Sequence, residues 1–460
     1  MGKFIRLVKN EYIKLMMKTG TIVMLILLCL SAVGLSAIAV IGQKESEGSA
    51  ENISDITESY QSEINYLKDV KTDGWEKEVE LNQYLIDNAI PNDWRTEAAD
   101  IMFEIKYNAA DYGLSGKKEE LEKTIDTAIA NKDWKTYFQT AIELSDSTES
   151  LINNADGRLS LYKYCLDNSI APYNKNWKFN VAEKYEASKW QIEDMEAQKT
   201  AGQFTDTSEL EQLKKDCKRL EYRLDHNIEF DISENTSWMS SDSYNFWSVF
   251  LTSKALVTFV SVIVIIVAGG IISGEFSSGT IKFLMINPVK RWKILSSKYF
   301  TAISFGYIAM LGTYIVSILS SMLFFGADNI GASFVSVSGD TVKEIPGFLY
   351  AAQVYLVESV KFVVMGSLAF AISSLFRSSA MAIGISVMAL LGGNTVTMIL
   401  AQLQFDWGRY LIFANLSLSD VVHGDAWFAG QTLTAAIAVI AVHMVIFLLT
   451  AWDGFTKREI

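Results

Sequence analysis

The chain has 460 residues, of which half are hydrophobic and a fifth are charged. This length allows two or three folding units. The formal net charge of −13 argues against a nucleic-acid partner, because phosphate contacts need Lys and Arg clustered on one surface. The charge is also segregated: residues 43–246 hold 42 acidic and 23 basic side chains, which leaves the remainder positive. Such segregation is typical of a membrane protein with an outer domain and a basic cytoplasmic face.

The N-terminal residues 1–19 are predicted to form an interfacial amphipathic helix. Apolar side chains such as Phe4, Leu7 and Tyr12 recur there at helical spacing between Lys and Arg residues, a pattern that favours a helix in the membrane surface. A simple cytoplasmic stub is the alternative. Residues 20–42 are predicted as the first transmembrane helix, because this apolar run is too long for the core of a secretory signal.

Residues 43–248 are predicted to form an extracellular helical domain. Leucines and isoleucines recur three and four residues apart between charged residues, as they do where helices pack. A short pattern also repeats three times and ends in polar residues that can terminate a helix. The copies are Tyr84–Ile90, Tyr164–Ile170 and Tyr222–Ile228. We interpret them as helix ends, and three equivalent ligand sites are the alternative.

Two of the three cysteines, Cys165 and Cys217, lie in this outer region. Cys217 falls on an apolar helix seam, which favours a buried thiol. A Cys165–Cys217 disulfide outside the cell is the alternative, since two cysteines alone do not define a framework.

Residues 249–460 are predicted to hold transmembrane helices 2–6, which gives an all-α membrane protein with six spans. The five apolar runs are Phe250–Ile272, Tyr299–Phe325, Leu349–Leu375, Ala380–Leu400 and Leu433–Trp452. Lys and Arg residues concentrate before the first span, between spans two and three, between spans four and five, and after the sixth. The positive-inside rule therefore places both termini in the cytoplasm.

The sequence lacks recognisable catalytic motifs. It has no phosphate-binding G-x-x-x-x-G-K-[ST] loop, no H-E-x-x-H and no nucleophile elbow. The three histidines lie far apart in the sequence and near no cysteine or carboxylate cluster. We therefore predict a chain that is not an enzyme and that binds neither metal nor cofactor itself.

A cytoplasmic segment, residues 274–298, carries the most informative pattern. Glu275 is followed by a predicted turn at Gly279 and Thr280, and then by a short apolar helix that Pro288 ends. This helix contains Ile281, Phe283 and Leu284, and the basic residues Arg291 and Lys298 follow it. A short apolar helix on the cytoplasmic face needs a surface to pack on. Composition alone leaves the lipid surface and a groove on a soluble partner equally favoured.

This segment resembles the cytoplasmic signature of ABC-2 type transporter permeases. An acidic residue, a Gly-Thr pair, a proline and basic residues recur there before the third span, at positions that Glu275, Gly279, Thr280, Pro288, Arg291 and Lys298 occupy. The interfacial helix and six spans also match, whereas the large outer domain departs from the simplest pattern. The resemblance implies that this segment couples the chain to a separate ATPase subunit, which would bind ATP and Mg²⁺. Glu275 and Arg291 are the expected polar anchors.

Two features of the spans bear on a transport path. Glu358 and Lys361 are three residues apart on the fourth span, where charges usually face protein or a wet cavity. An internal ion pair is favoured over a substrate contact. Asn394 follows two glycines on the fifth span, a sequence suited to close helix packing or a subunit interface. The alternative is that Asn394 lines a pore and donates a hydrogen bond to the cargo.

The resemblance therefore implies a multi-pass permease subunit in a bacterial cell membrane. Its expected partners are an ABC ATPase, a second permease copy or homologue, membrane lipid and an amphiphilic cargo, such as an antimicrobial peptide, a lipid or a drug. Export of such a cargo would confer resistance. The alternative is a membrane-anchored sensor or binding protein whose outer domain captures a ligand without transport. Six spans exceed what an anchor requires.

Overall fold

The structure is a computed structural model, and it describes most of the chain. The described residues are 2–48, 53–72, 74–147, 157–173, 175–202, 208–237, 244–281, 289–339, 341–423, 426–428 and 430–456. These residues divide into two compact units. The first consists of Met1–Glu45, Ile232–Phe334 and Ile345–Ile460, and the second of Ser46–Asp231 and Val335–Glu344.

Six helices of the described residues are long and apolar enough to cross a membrane, as the sequence predicts. They are Thr19–Lys44, Phe246–Ser277, Arg291–Phe325, Gly347–Phe376, Ser379–Gln402 and Leu433–Thr456, called spans one to six below. The first helix continues to Gly48, and a short 3₁₀ turn at Ser253–Leu256 interrupts the second span. The shortest of these helices has 24 residues, more than the 20 or so that a bilayer core requires.

An N-terminal helix, Gly2–Met16, precedes the first span and packs against the third. The Tyr12 hydroxyl lies 2.6 Å from the Ser304 hydroxyl, and the Phe4 ring meets the Phe300 ring edge to face at 6.2 Å. Its chain turns at Met17 and Lys18 before the first span begins at Thr19. The helix is amphipathic, as predicted, and one of its faces packs against the third span.

Small residues let the second, third and fourth spans approach one another closely. A Cβ on Gly306 of span three would lie 2.6 Å from Val264 and 2.9 Å from Phe362. The Ser373 hydroxyl of span four donates to Gly269 O at 2.7 Å and accepts from Ser273 N at 3.2 Å. The second and fourth spans are the most buried of the six. The core of the first unit therefore lies along these two spans, and the third span packs against them.

The second unit is helical and has its own core. Its helices are Ile53–Val70, Trp75–Asp87, Trp94–Asn108, Lys118–Asn131, Trp134–Ser147, Arg158–Asn168, Trp177–Thr200 and Ser208–Asp225. Aromatic rings lie at the centre: Phe138 stacks on Tyr162 at 4.1 Å, and Tyr137 stacks on Trp94 at 5.5 Å. The prediction drew an outer domain at residues 43–248, and this unit comprises 46–231 together with 335–344.

The three sequence repeats form the same helix C-terminus three times. The sixth residue of each copy has a positive φ: 47° at Ala89, 52° at Ser169 and 54° at Asn227. The amide of the seventh then donates to the carbonyl of the second, at 2.9 to 3.0 Å in every copy. This is the bond of a Schellman cap, which satisfies a carbonyl that the helix end leaves unpaired. The three copies of the repeat are therefore helix ends, as the sequence predicts.

A β-hairpin is the one departure from the all-α prediction among the described residues. Its strands, Ser333–Ser338 and Thr341–Pro346, form a two-stranded sheet. Val335 and Val337 alternate with Ser336 and Ser338 ahead of Gly339, which is the period of two that indicates a strand. The all-α prediction contains no strands at these residues, and the hairpin is a small addition to it.

The cysteines are all free thiols. Cys165 is buried, and burial raises the pKa of its thiol to about 12. Cys217 is half-buried rather than buried, and burial raises its thiol pKa to about 11. Cys165 and Cys217 are therefore not joined by a disulfide, and the thiol interpretation is favoured over the disulfide alternative.

Candidate functional site

Four charged side chains meet where the N-terminal helix crosses the ends of the second and third spans. We call this cluster of Glu11, Lys14, Glu275 and Lys298 the charged junction. Lys298 Nζ donates to Glu11 Oε1 at 2.9 Å and to Glu275 Oε1 at 3.0 Å. Lys14 Nζ donates to Glu275 Oε1 at 2.9 Å. Two lysines thus neutralise two glutamates contributed by three different helices.

The junction is largely withdrawn from water. Lys298 is only 1% exposed, and Glu11 and Glu275 are 8% and 9% exposed. Removing one partner of such a pair leaves an uncompensated buried charge, which costs about 3–5 kcal/mol. The junction therefore holds the three helices in one arrangement, since any relative movement would expose or separate charges.

Lys14 is the accessible member, with about half of its side chain exposed. Partial burial lowers the pKa of Lys14, but its hydrogen bond to Glu275 and the charge of Glu11 raise it by more, so the net pKa is raised. Lys14 stays protonated at any physiological pH. The junction is consequently not a pH switch through this residue.

Glu275 also fixes the turn that leaves the second span. The Thr280 hydroxyl donates to the Glu275 carboxylate, and between them Gly279 adopts a φ of 69° with open space around its Cβ position. A positive φ is costly for residues with a side chain. The predicted turn at Gly279 is thus tied to the charged junction through one carboxylate.

The predicted coupling residues fall partly outside the described residues. Phe283, Leu284 and Pro288 lie in 282–288, of which the structure gives no description. Ile281 is buried at 6% exposure. Arg291 begins the third span, and its guanidinium donates to Thr456 O, at the end of the sixth span, at 3.3 Å.

Sequence reasoning missed Glu11 and used Lys14 only to orient the chain. A signal was present, because Glu11 is the one acidic residue among the first 20. A lone carboxylate in a basic amphipathic helix is out of keeping with a purely lipid-facing role. Its partner Lys298, however, lies 287 residues away in the sequence, and no local pattern pairs them.

Glu358 and Lys361 form the ion pair that the sequence favoured. Lys361 Nζ lies 2.6 Å from Glu358 Oε2, and the Ser419 hydroxyl donates to Glu358 Oε1 at 2.8 Å. Ser419 lies in a short helix, Leu418–His423, in the connection between spans five and six. Both carboxylate oxygens are therefore occupied by protein, and the pair fastens this connection to the fourth span.

Asn394 is exposed on the fifth span. Its neighbour Gly393 is buried, and a Cβ there would lie 2.3 Å from the Phe413 ring. Phe413 belongs to a 3₁₀ turn, Ile412–Asn415, that packs on the span. The glycine at 393 thus serves close packing within the chain, and the amide of Asn394 faces away from that contact.

The second unit contains a cavity of about 640 Å³. Its wall combines apolar rings such as Trp94 and Phe138 with charged groups. Glu97 accepts from Arg158 at 3.0 Å and also from the Tyr162 hydroxyl. Such a mixed lining suits an amphiphilic ligand. Among the described residues, no group of three or more His, Cys, Asp or Glu side chains is arranged to hold a metal ion.

Six apolar helices define the class: the chain is a helical membrane protein. The family described as "Protein of unknown function (DUF2705)" matches residues 225–460, which contain spans two to six. The chain belongs to this family.

Two proteins of Bacillus subtilis (strain 168) are similar to it. The first, "Uncharacterized protein YhcI", is 36% identical over 244 residues, which cover 52% of this chain and 74% of that protein. The second, "Uncharacterized membrane protein YdbK", is 31% identical over 217 residues, which cover 47% of this chain and 84% of that protein. No solved structure matches the chain.

Proposed function

We propose that the chain is the membrane-spanning subunit of an ABC-2 type exporter, driven by a separate ATPase. The charged junction is the observation that carries this proposal. It ties the N-terminal helix and the second and third spans to the cytoplasmic turn at Gly279, which precedes the segment that resembles a coupling helix. A subunit driven from the cytoplasm needs such a rigid attachment between the driven segment and the spans.

The junction would transmit movement in a definite way. A displacement of residues 281–290 by an ATPase acts on the ends of the second and third spans, which Glu275 and Lys298 join at 3.0 Å. Glu11 extends the linkage to the N-terminal helix. Because separating these charges is costly, the three helices would tilt together rather than bend independently.

The proposed topology follows the basic residues. Both termini and residues 274–298 are cytoplasmic, and the second unit lies outside the cell membrane. Two copies, or this chain and a homologous permease, would pair, as closed two-fold assemblies commonly do. The mixed lining of the outer cavity suits capture of an amphiphile such as an antimicrobial peptide. The paired Glu358 is assigned to structure and not to cargo.

The test is purification of the tagged full-length chain in mild detergent, with identification of the proteins that accompany it. We expect an ATPase subunit to be recovered. We expect Phe283→Asp with Leu284→Asp to abolish its recovery, because two apolar side chains of the proposed docking segment would become charged and would resist burial against the ATPase. Tyr107→Asp is the matched control, since Tyr107 is exposed in the second unit and should leave the complex intact.

The sensor alternative makes the opposite prediction. A folded chain that brings no ATPase, under conditions that preserve a known ABC complex, would refute the exporter proposal. Recovery of a kinase in its place would favour a sensor whose outer unit binds a ligand.

A further inference from the structure

A groove runs between the first and second spans, away from the core of the first unit. At one end it opens into a cavity of about 730 Å³ beside the charged junction. Further along lies a second cavity of about 300 Å³. Met24 of span one and Ile266 of span two line both cavities, so the two form one continuous path along the helices.

The walls of the narrower part of this groove are apolar. Its narrower part lies between Leu28 on one side and Phe259 and Ile263 on the other. Nearer the wide end, Gly270 and Gly274 have nothing within 4 Å of their Cβ positions. An acyl chain fits such a surface, because neither wall offers a polar group that must stay hydrated.

The wide end carries one unbalanced positive charge. Lys14 and Lys298 are neutralised by Glu11 and Glu275 within the charged junction. Lys18 lines the wide end, is exposed, and has no ion-pair partner among the residues that the structure describes. It immediately precedes the 30-residue helix that starts at Thr19, whose N-terminal amides and dipole add positive potential at the same place.

The length of the groove matches one leaflet of a bilayer. From Thr21 to Ser31 the first span rises by about 15 Å, which is half of a hydrocarbon core of about 30 Å. The charged end therefore lies at the depth of a headgroup when the apolar part lies at the depth of the tails.

We propose that this groove binds one anionic phospholipid, with its phosphodiester at Lys18 and an acyl chain along Leu28 and Phe259. One surplus lysine charge fits the single net charge of a phosphatidylglycerol. Such a lipid would fill the space beside the charged junction and fix the distance between the first and second spans. The site requires no ATPase, so it can be tested apart from the proposed function.

The experiment uses the delipidated full-length chain in detergent, titrated with phosphatidylglycerol or phosphatidylcholine and examined by native mass spectrometry. We expect one tightly bound phosphatidylglycerol per chain and a clear preference for it over phosphatidylcholine. Lys18→Ala should weaken phosphatidylglycerol binding about fivefold and remove that preference, since one lysine near an anionic group contributes on this scale. Lys9→Ala, on the exposed part of the N-terminal helix, should change neither.

A second pair of variants tests the groove itself. Ser31→Trp places an indole in the narrow part and should displace the lipid, whereas Leu30→Trp alters another face of the same helix and should not. Size-exclusion profiles identify variants that fail to fold, and Leu27→Trp then replaces Ser31→Trp. Equal loss of lipid in Lys18→Ala and Lys9→Ala would overturn the proposal. So would a Ser31→Trp chain that keeps its lipid but loses a second copy, because the groove would then be a subunit interface.

Discussion

Lys298 is the residue on which the charged junction depends. It is 1% exposed, and its ammonium contacts both buried glutamates. The two carboxylates supply the hydrogen-bond partners that this buried ammonium would otherwise find in water. Glu11 and Glu275 depend on it equally, since Lys14 alone cannot neutralise both.

We predict that Lys298→Met destabilises the chain by about 3–5 kcal/mol, because it strands negative charge in a buried site. The methionine keeps most of the side-chain volume, so lost packing contributes little. Thermal unfolding in detergent measures the effect. Lys290→Met is the control, since Lys290 is exposed and its loss should shift the melting temperature only slightly. Equal shifts in the two variants would contradict the role of the junction.

At the scale of elements, three of the outer helices end in the same kind of C-terminal cap. Each copy of the repeat places a residue other than glycine in a left-handed conformation and a buried or half-buried isoleucine one position later. The capping bond and the apolar contact offset the cost of that conformation. The ends of these three helices are therefore encoded by residues close to one another in the sequence.

One substitution should act oppositely at two sites of this unit. Ala89→Gly removes the strain of a φ of 47° and should stabilise the unit by about 0.5–1 kcal/mol. Ala130→Gly, on an exposed helical position, should destabilise it by about 1 kcal/mol. Thermal unfolding followed by tryptophan fluorescence compares the two. A loss of stability in both variants would show that the left-handed cap is not what residues 84–90 encode.

At the scale of the whole molecule, charge and hydropathy divide the chain before any contact forms. The acidic stretch of residues 43–246 nearly coincides with the larger part of the second unit, Ser46–Asp231. The remainder is apolar with basic ends. Each part has its own solvent, water for one and lipid for the other, and each folds around its own core.

The proposed topology predicts which residues reagents can reach from outside the cell. In a chain whose native cysteines are replaced by alanine, Ser115→Cys in the second unit should react with an impermeant maleimide on intact cells. Asn10→Cys in the N-terminal helix should react only after lysis. Both native residues are exposed, so burial does not confound the comparison. Labelling of Asn10→Cys on intact cells would reverse the proposed orientation.

The local patterns of the sequence were sufficient to predict the six spans and the helical character of the second unit. Apolar runs of about 20 residues predict spans because backbone polar groups in lipid must be satisfied within the segment. Three-four spacing predicts the outer helices, and the repeated Tyr-to-Ile pattern predicts where three of them stop. The hairpin at Ser333–Pro346 was not predicted, because the alternation in two short strands is a weak signal beside six long apolar runs.

The sequence by itself determined the membrane class, the number of spans and the segregation of an acidic unit, because each depends on properties that neighbouring residues share. Only the tertiary structure decided that Glu11 pairs with Lys298, that Ser419 completes the contacts of Glu358, and that a groove separates the first two spans. These features join residues from distant parts of the chain. Their partners are chosen by how the helices pack, and no local pattern carries that information.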